Sequence, residues 1–174
     1  TGVAGAMQGD SSIVAIEYQL RRFMGTTVEN ITGSKLTSPI DVGIKTNDDG
    51  TFSVDSTTLQ SALDDHFDDI AKVFARGGST SDSLIKFKTV SDDISTGSYA
   101  IQINNYVPAT KTLDGTIGGE SATSSDGKIL DGSASLLGLS VEVLGGSTGA
   151  RGTVTIFDGI AQQLDKWADS FLGS

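Results

Sequence analysis

Asp64, Asp65, Asp68 and Asp69 place four carboxylates within six residues, a density that could hold a divalent cation or divide acid and base roles between neighbours. Asp48, Asp49 and Asp55 form a second acidic group, on which a metal-dependent hydrolase could be built. His66 is the only histidine, so any Ser-His-Asp arrangement would depend on it alone. The chain has no cysteine, which excludes a disulfide framework, a thiolate zinc site and a cysteine nucleophile. The templates then fail one by one. An EF-hand loop with Gly50 at its sixth position would need acidic donors where Lys45 and Ser56 stand. Between Gly119 and Lys128 the glycines are too far apart for a phosphate-cradling loop, and Ile129 replaces the required Ser or Thr. Residues 145–152 join two expected strands instead of opening a helix. No catalytic residue, cofactor or metal ligand is expected.

Composition narrows the partners. The chain of 174 residues carries 22 acidic and 12 basic side chains, a net charge of −10, which argues against phosphate-backbone recognition and so against nucleic acid. No apolar run approaches the roughly 20 residues needed to cross a bilayer, so no membrane insertion is expected.

The elements that position these side chains follow from periodicity. Ile13, Ile16, Leu20 and Phe23 step by three, four and three, which predicts a helix over 10–24 capped by Asp10 or Ser11. Residues 26–38 read as a loop. Over 41–55, Val42, Ile44 and Thr46 alternate, then Phe52 and Val54, with Asp49 and Gly50 between; this predicts a β-hairpin with a primed turn. A second helix opens at Asp55 and Ser56, its stripe formed by Leu59, Leu63, Phe67, Ile70 and Phe74. Burying those five side chains would contribute roughly 8–15 kcal/mol of transfer free energy before entropy costs. The four aspartates fall on other faces and read as solvated. Residues 77–82 read as a flexible breaker, and Leu84, Phe87, Val90 and Ile94 suggest a further helix. From 97 to 157, period-two segments at 99–103, 128–130, 139–143 and 152–156 predict a small antiparallel β-domain. Ile160, Leu164, Trp167, Phe171 and Leu172 return to a helical period.

The expected fold is therefore α+β. Residues 1–95 form a helix–hairpin–helix part, 96–157 an inserted antiparallel β-domain, and 158–174 the start of a returning amphipathic helix. Apolar stripes of this kind call for a partner surface, so the chain reads as an excerpt of a longer protein. The assembly candidates are Leu20, Phe23, Leu63, Phe67, Ile70, Phe74, Leu164, Trp167 and Phe171.

The order of the pieces is similar to a known family. Gly9-Asp10-Ser11 before a helix with Leu20-Arg21-Arg22 resembles the flagellar filament-cap proteins of the hook-associated protein 2 (FliD) family. Val42-Gly43-Ile44, Thr46-Asn47, Asp49-Gly50-Thr51-Phe52-Ser53-Val54-Asp55, then Leu59 and Ala62-Leu63, resemble that family's carboxy-terminal signature, with Ile70, Val73 and Phe74 as its continuation. Gly97-Ser98-Tyr99-Ala100-Ile101-Gln102-Ile103 resembles a β-motif of flagellins and cap proteins, and residues 149–156 resemble the return from a β-insertion to the helices.

The resemblance implies a secreted, extracellular structural component of the bacterial flagellum, exported through the flagellar type III apparatus. It implies an oligomeric ring at the filament tip that promotes flagellin polymerisation. The implied partners are further copies of the chain, flagellin and hook–filament junction proteins, with a coiled coil supplied by terminal segments. The alternative is an adhesive module whose β-domain holds a host or carbohydrate ligand near Tyr99, Asn104 or Tyr106.

Overall fold

The computed structural model describes residues 11–29, 31 and 33–172, without the side chains of 11–13, 171 and 172. The fold is α+β, and the chain divides into two units. A helical unit comprises the described residues of 11–28, 35–75 and 159–172; a β-unit comprises those of 29–34 and 76–158.

The helical unit begins with α1 (Ser11–Gly25); the expected cap at Asp10 lies outside the described residues. The hairpin follows as β1 (Ile44–Thr46) and β2 (Phe52–Val54), paired antiparallel with Thr46 opposite Phe52. Its connection is longer than the expected two-residue primed turn. Asn47 N–H donates to the Thr51 carbonyl, the Thr51 backbone N–H donates to Asp49 Oδ1, and only Gly50 has a positive φ, 86°. Two aspartates followed by one glycine satisfy a turn with a single left-handed residue better than one with two.

α2 (Ser56–Phe74) starts at Asp55, whose carboxylate accepts the Thr57 and Thr58 backbone N–H groups. That removes two donors the first turn would otherwise leave unsatisfied. The helix bends at His66, whose φ of −142° and ψ of 33° are not helical. α3 (Ile160–Leu172) completes the unit.

The β-unit is one antiparallel sheet in the order β3 (Gly77–Thr80), β10 (Gly149–Phe157), β5 (Gly97–Val107), β6 (Thr112–Ile117), β7 (Glu120–Thr123), β8 (Ile129–Gly132), β9 (Ser140–Val143), β4 (Ile85–Thr89). Residues 77–82, expected as a breaker, thus begin with a strand. Residues 84–94, expected as a helix, contain one too, because Ile85 and Phe87 alternate inward while Leu84 stays exposed. The sheet curls until its outermost strands meet. Phe87 of β4 lies against Gly78 of β3, where a Cβ would fall 2.4 Å from the ring, and Thr80 Oγ1 donates to the Ile85 carbonyl. Inside sits one continuous core that includes Ile101, Ile103, Leu113, Ile117, Leu130, Leu139, Val141, Val154 and Ile156.

Two part-buried ion pairs brace the β-unit. Arg76 Nη1 donates to Asp158 Oδ1 at 2.5 Å and Arg76 Nη2 to the Ile94 carbonyl. Arg151 Nε donates to Asp82 Oδ2 at 2.6 Å, and this bond, with the Leu84 backbone N–H, holds the Asp82 carboxyl below its usual range.

Candidate assembly surface

The helical unit leaves much of its apolar surface open. Val14, Tyr18, Leu20, Ile40, Phe52, Val54, Leu63 and Phe67 are all exposed, against Leu84, Val107, Leu137 and Leu144 on the β-unit. Among the described residues, its buried apolar side chains are few: Val28, Leu36, Val42, Ala62, Val73 and Ile160. The β-unit, by contrast, closes around its own core. A folded unit that leaves large apolar side chains in water at this density carries the signature of a contact surface.

The nine assembly candidates separate by position. On α2, Leu63 is 39 % and Phe67 68 % exposed, while Ile70 and Phe74 are half-buried. The five-residue stripe is therefore not a buried face: the inward line runs through Ala62, Ile70 and Val73, with the bend at His66 in its middle. On α1, Leu20 is exposed and Phe23 half-buried. Phe23 meets half-buried Trp167 of α3 edge to face, ring centroids 5.9 Å apart. Such a pair is worth about 0.5–1.5 kcal/mol beyond its buried area. Leu164 is half-buried, and the Phe171 side chain lies outside the described residues.

Two motif residues have a local reason. Gly43 has φ of 98°, and a Cβ there would sit 2.9 Å from the Asp55 carbonyl oxygen; Asp55 N–H in turn donates to the Gly43 carbonyl. Only glycine allows that approach, which fixes the hairpin to the start of α2. Asp41 accepts from the backbone N–H and hydroxyl groups of both Thr37 and Ser38. Burial acts to raise its carboxyl, but those bonds outweigh burial and hold it below the usual range.

Asp49, Asp55 and Asp69 are held by their own surroundings. Asp55 binds Thr57, Thr58 and Lys45; Asp49 binds Thr51; Asp69 pairs with Lys72, with His66 Nδ1 3.9 Å away. No group of three or more metal-ligating side chains gathers among the described residues. Nor, among them, is any helix long and apolar enough to cross a membrane. Tyr99 and Tyr106 pack against the β-unit core, Tyr99 donating its hydroxyl to the Ser95 carbonyl, whereas Asn104 is exposed. Sequence periodicity missed Val14, Tyr18, Ile40, Phe52 and Val54 as surface residues; the alternation in the hairpin was visible, but not that both its strands lie open.

A family model described as the flagellar hook-associated protein 2 C-terminus matches residues 1–130. No curated protein and no solved structure matches the chain.

Proposed function

The chain belongs to the flagellar hook-associated protein 2 family, in its carboxy-terminal part, and from that premise we propose that it is a structural subunit of the flagellar filament cap. It assembles with further copies of itself into a ring at the filament tip, is exported to reach that place, and promotes addition of flagellin without catalysing a reaction. The observation that supports this reading is the open apolar surface of the helical unit, above all Phe67 and Leu63. Exposed side chains of this size, on elements whose own caps and turns are satisfied, are kept for contact with other chains.

The test is complementation of a strain lacking its cap protein, with filaments followed by electron microscopy. The unaltered protein restores filaments bearing rings at their tips. Phe67→Asp, at a site too exposed to disturb folding, gives folded protein and short or absent filaments. Normal filaments with Phe67→Asp, or protein that never forms rings, would overturn the proposal.

A further inference from the structure

The lysines of the β-unit gather at one place. On β4, Lys86 stands in register with Glu142 of β9, and Lys88 Nζ lies 3.6 Å from that carboxylate. Glu142 also lines a groove of about 340 Å³ with Tyr106, Lys111, Asp126, Lys128 and Leu144. Backbone packing holds two of these lysines together. A Cβ at Gly127, directly before Lys128, would fall 2.5 Å from the Cα of Lys111. Lys86, Lys111 and Lys128 have no ion-pair partner among the described residues, although the chain's net charge is −10. Asp126 lines the same groove, its Oδ1 accepting the backbone N–H groups of Ile129 and Lys128. Leu144, beside them, is exposed.

α2 carries the complementary pattern. Leu63 and Phe67 are exposed, flanked by exposed Asp64, Asp65 and Asp68, none of which meets a cation among the described residues. We propose that the α2 face around Phe67 docks on the groove between Tyr106 and Leu144 of a second copy of this chain, its aspartates meeting that copy's Lys86, Lys111 and Lys128. Pairing α2 with α2 would also cover Phe67, but it would bring two sets of unpaired carboxylates together, and like charges across an interface are strongly unfavourable. At and beside the groove, Lys86, Lys88, Lys111 and Lys128 outnumber Asp126 and Glu142, so the same apolar contact comes with an excess of positive charge. Because the two patches differ, the contact is head-to-tail, and repetition generates a ring or an open filament. The inference deepens the ring reading and rests on it.

The absence of native cysteine makes the test direct. Single variants Phe67→Cys and Leu144→Cys, both at exposed sites, are mixed in equal amounts at low salt and oxidised. The mixed disulfide should dominate both like-with-like products. It should be lost when Lys111→Glu and Lys128→Glu are added to the Leu144→Cys chain, and regained when Asp64→Lys and Asp68→Lys are added to the Phe67→Cys chain. High salt should weaken it, because exposed pairs are screened. Oligomers that form without this link, or with like-with-like links dominating, would overturn the docking while leaving the ring reading intact. A chain that stays monomeric at every concentration would overturn both.

Discussion

Phe67 and Leu130 show how differently two large apolar residues of one chain are placed. Phe67 is 68 % exposed, whereas Leu130 is fully enclosed in the β-unit core. Removing the first side chain forfeits almost no folded contact, so Phe67→Ala should shift unfolding stability by less than about 0.5 kcal/mol. Leu130→Ala loses the transfer free energy of the side chain and leaves a cavity that cannot fully collapse, at a cost of about 2–5 kcal/mol. Urea denaturation of the two variants separates them. A Phe67→Ala protein as unstable as Leu130→Ala would show that α2 buries this ring against the rest of the chain. The distinction also decides what a filament-growth defect in a Phe67 variant means: lost contact with another molecule, not lost folding.

The helical unit depends on the junction from hairpin to α2. The Lys45 ammonium, hydrogen-bonded to Asp55, and the Thr58 and Thr57 backbone N–H groups lower the Asp55 carboxyl from its ordinary 3.8 to about 2. A depressed carboxylate stabilises the fold fully above its unfolded value and loses that contribution as pH falls through the folded one. The start of α2 should therefore loosen between about pH 4 and pH 2. Amide exchange or helical circular dichroism across that range measures it, with the change smaller in Asp55→Asn, which keeps a capping oxygen but no charge. Gly43→Ala should destabilise the same junction by about 1–3 kcal/mol, because it combines a positive φ with a backbone clash; thermal unfolding reads the loss. Much of this element was legible in advance. Asp55 before Ser56, the 3.6-residue stripe and the hairpin alternation each encode a local rule. The β-unit was only half legible. β5, β9 and β10 alternate visibly, but β3 is Gly-Gly-Ser-Thr and has no pattern to read. β4 carries two overlapping periods, and tertiary burial of Ile85 and Phe87 selects the strand over the helix suggested by Leu84, Phe87 and Val90. Which faces stay open was not legible at all, since periodicity defines a stripe without saying what covers it. The lysine cluster was equally hidden: it draws on three separate segments that only the folded sheet brings together.

At the scale of the whole molecule, the two units differ in construction: the β-unit encloses one continuous core, while the helical unit leaves more of its large apolar side chains exposed. The order of pairing in the sheet has its own consequence. β5 to β9 form a run of neighbouring antiparallel strands, each within easy reach of the next along the chain. β3, however, pairs along its backbone only with β10, so Gly77 waits for Phe157. If such a polypeptide is threaded from one end through a narrow conduit, the meander can zip early but the seam stays undone until the last strand emerges. The latch is thus written into connectivity: the closing seam forms only once the final strand is available to pair.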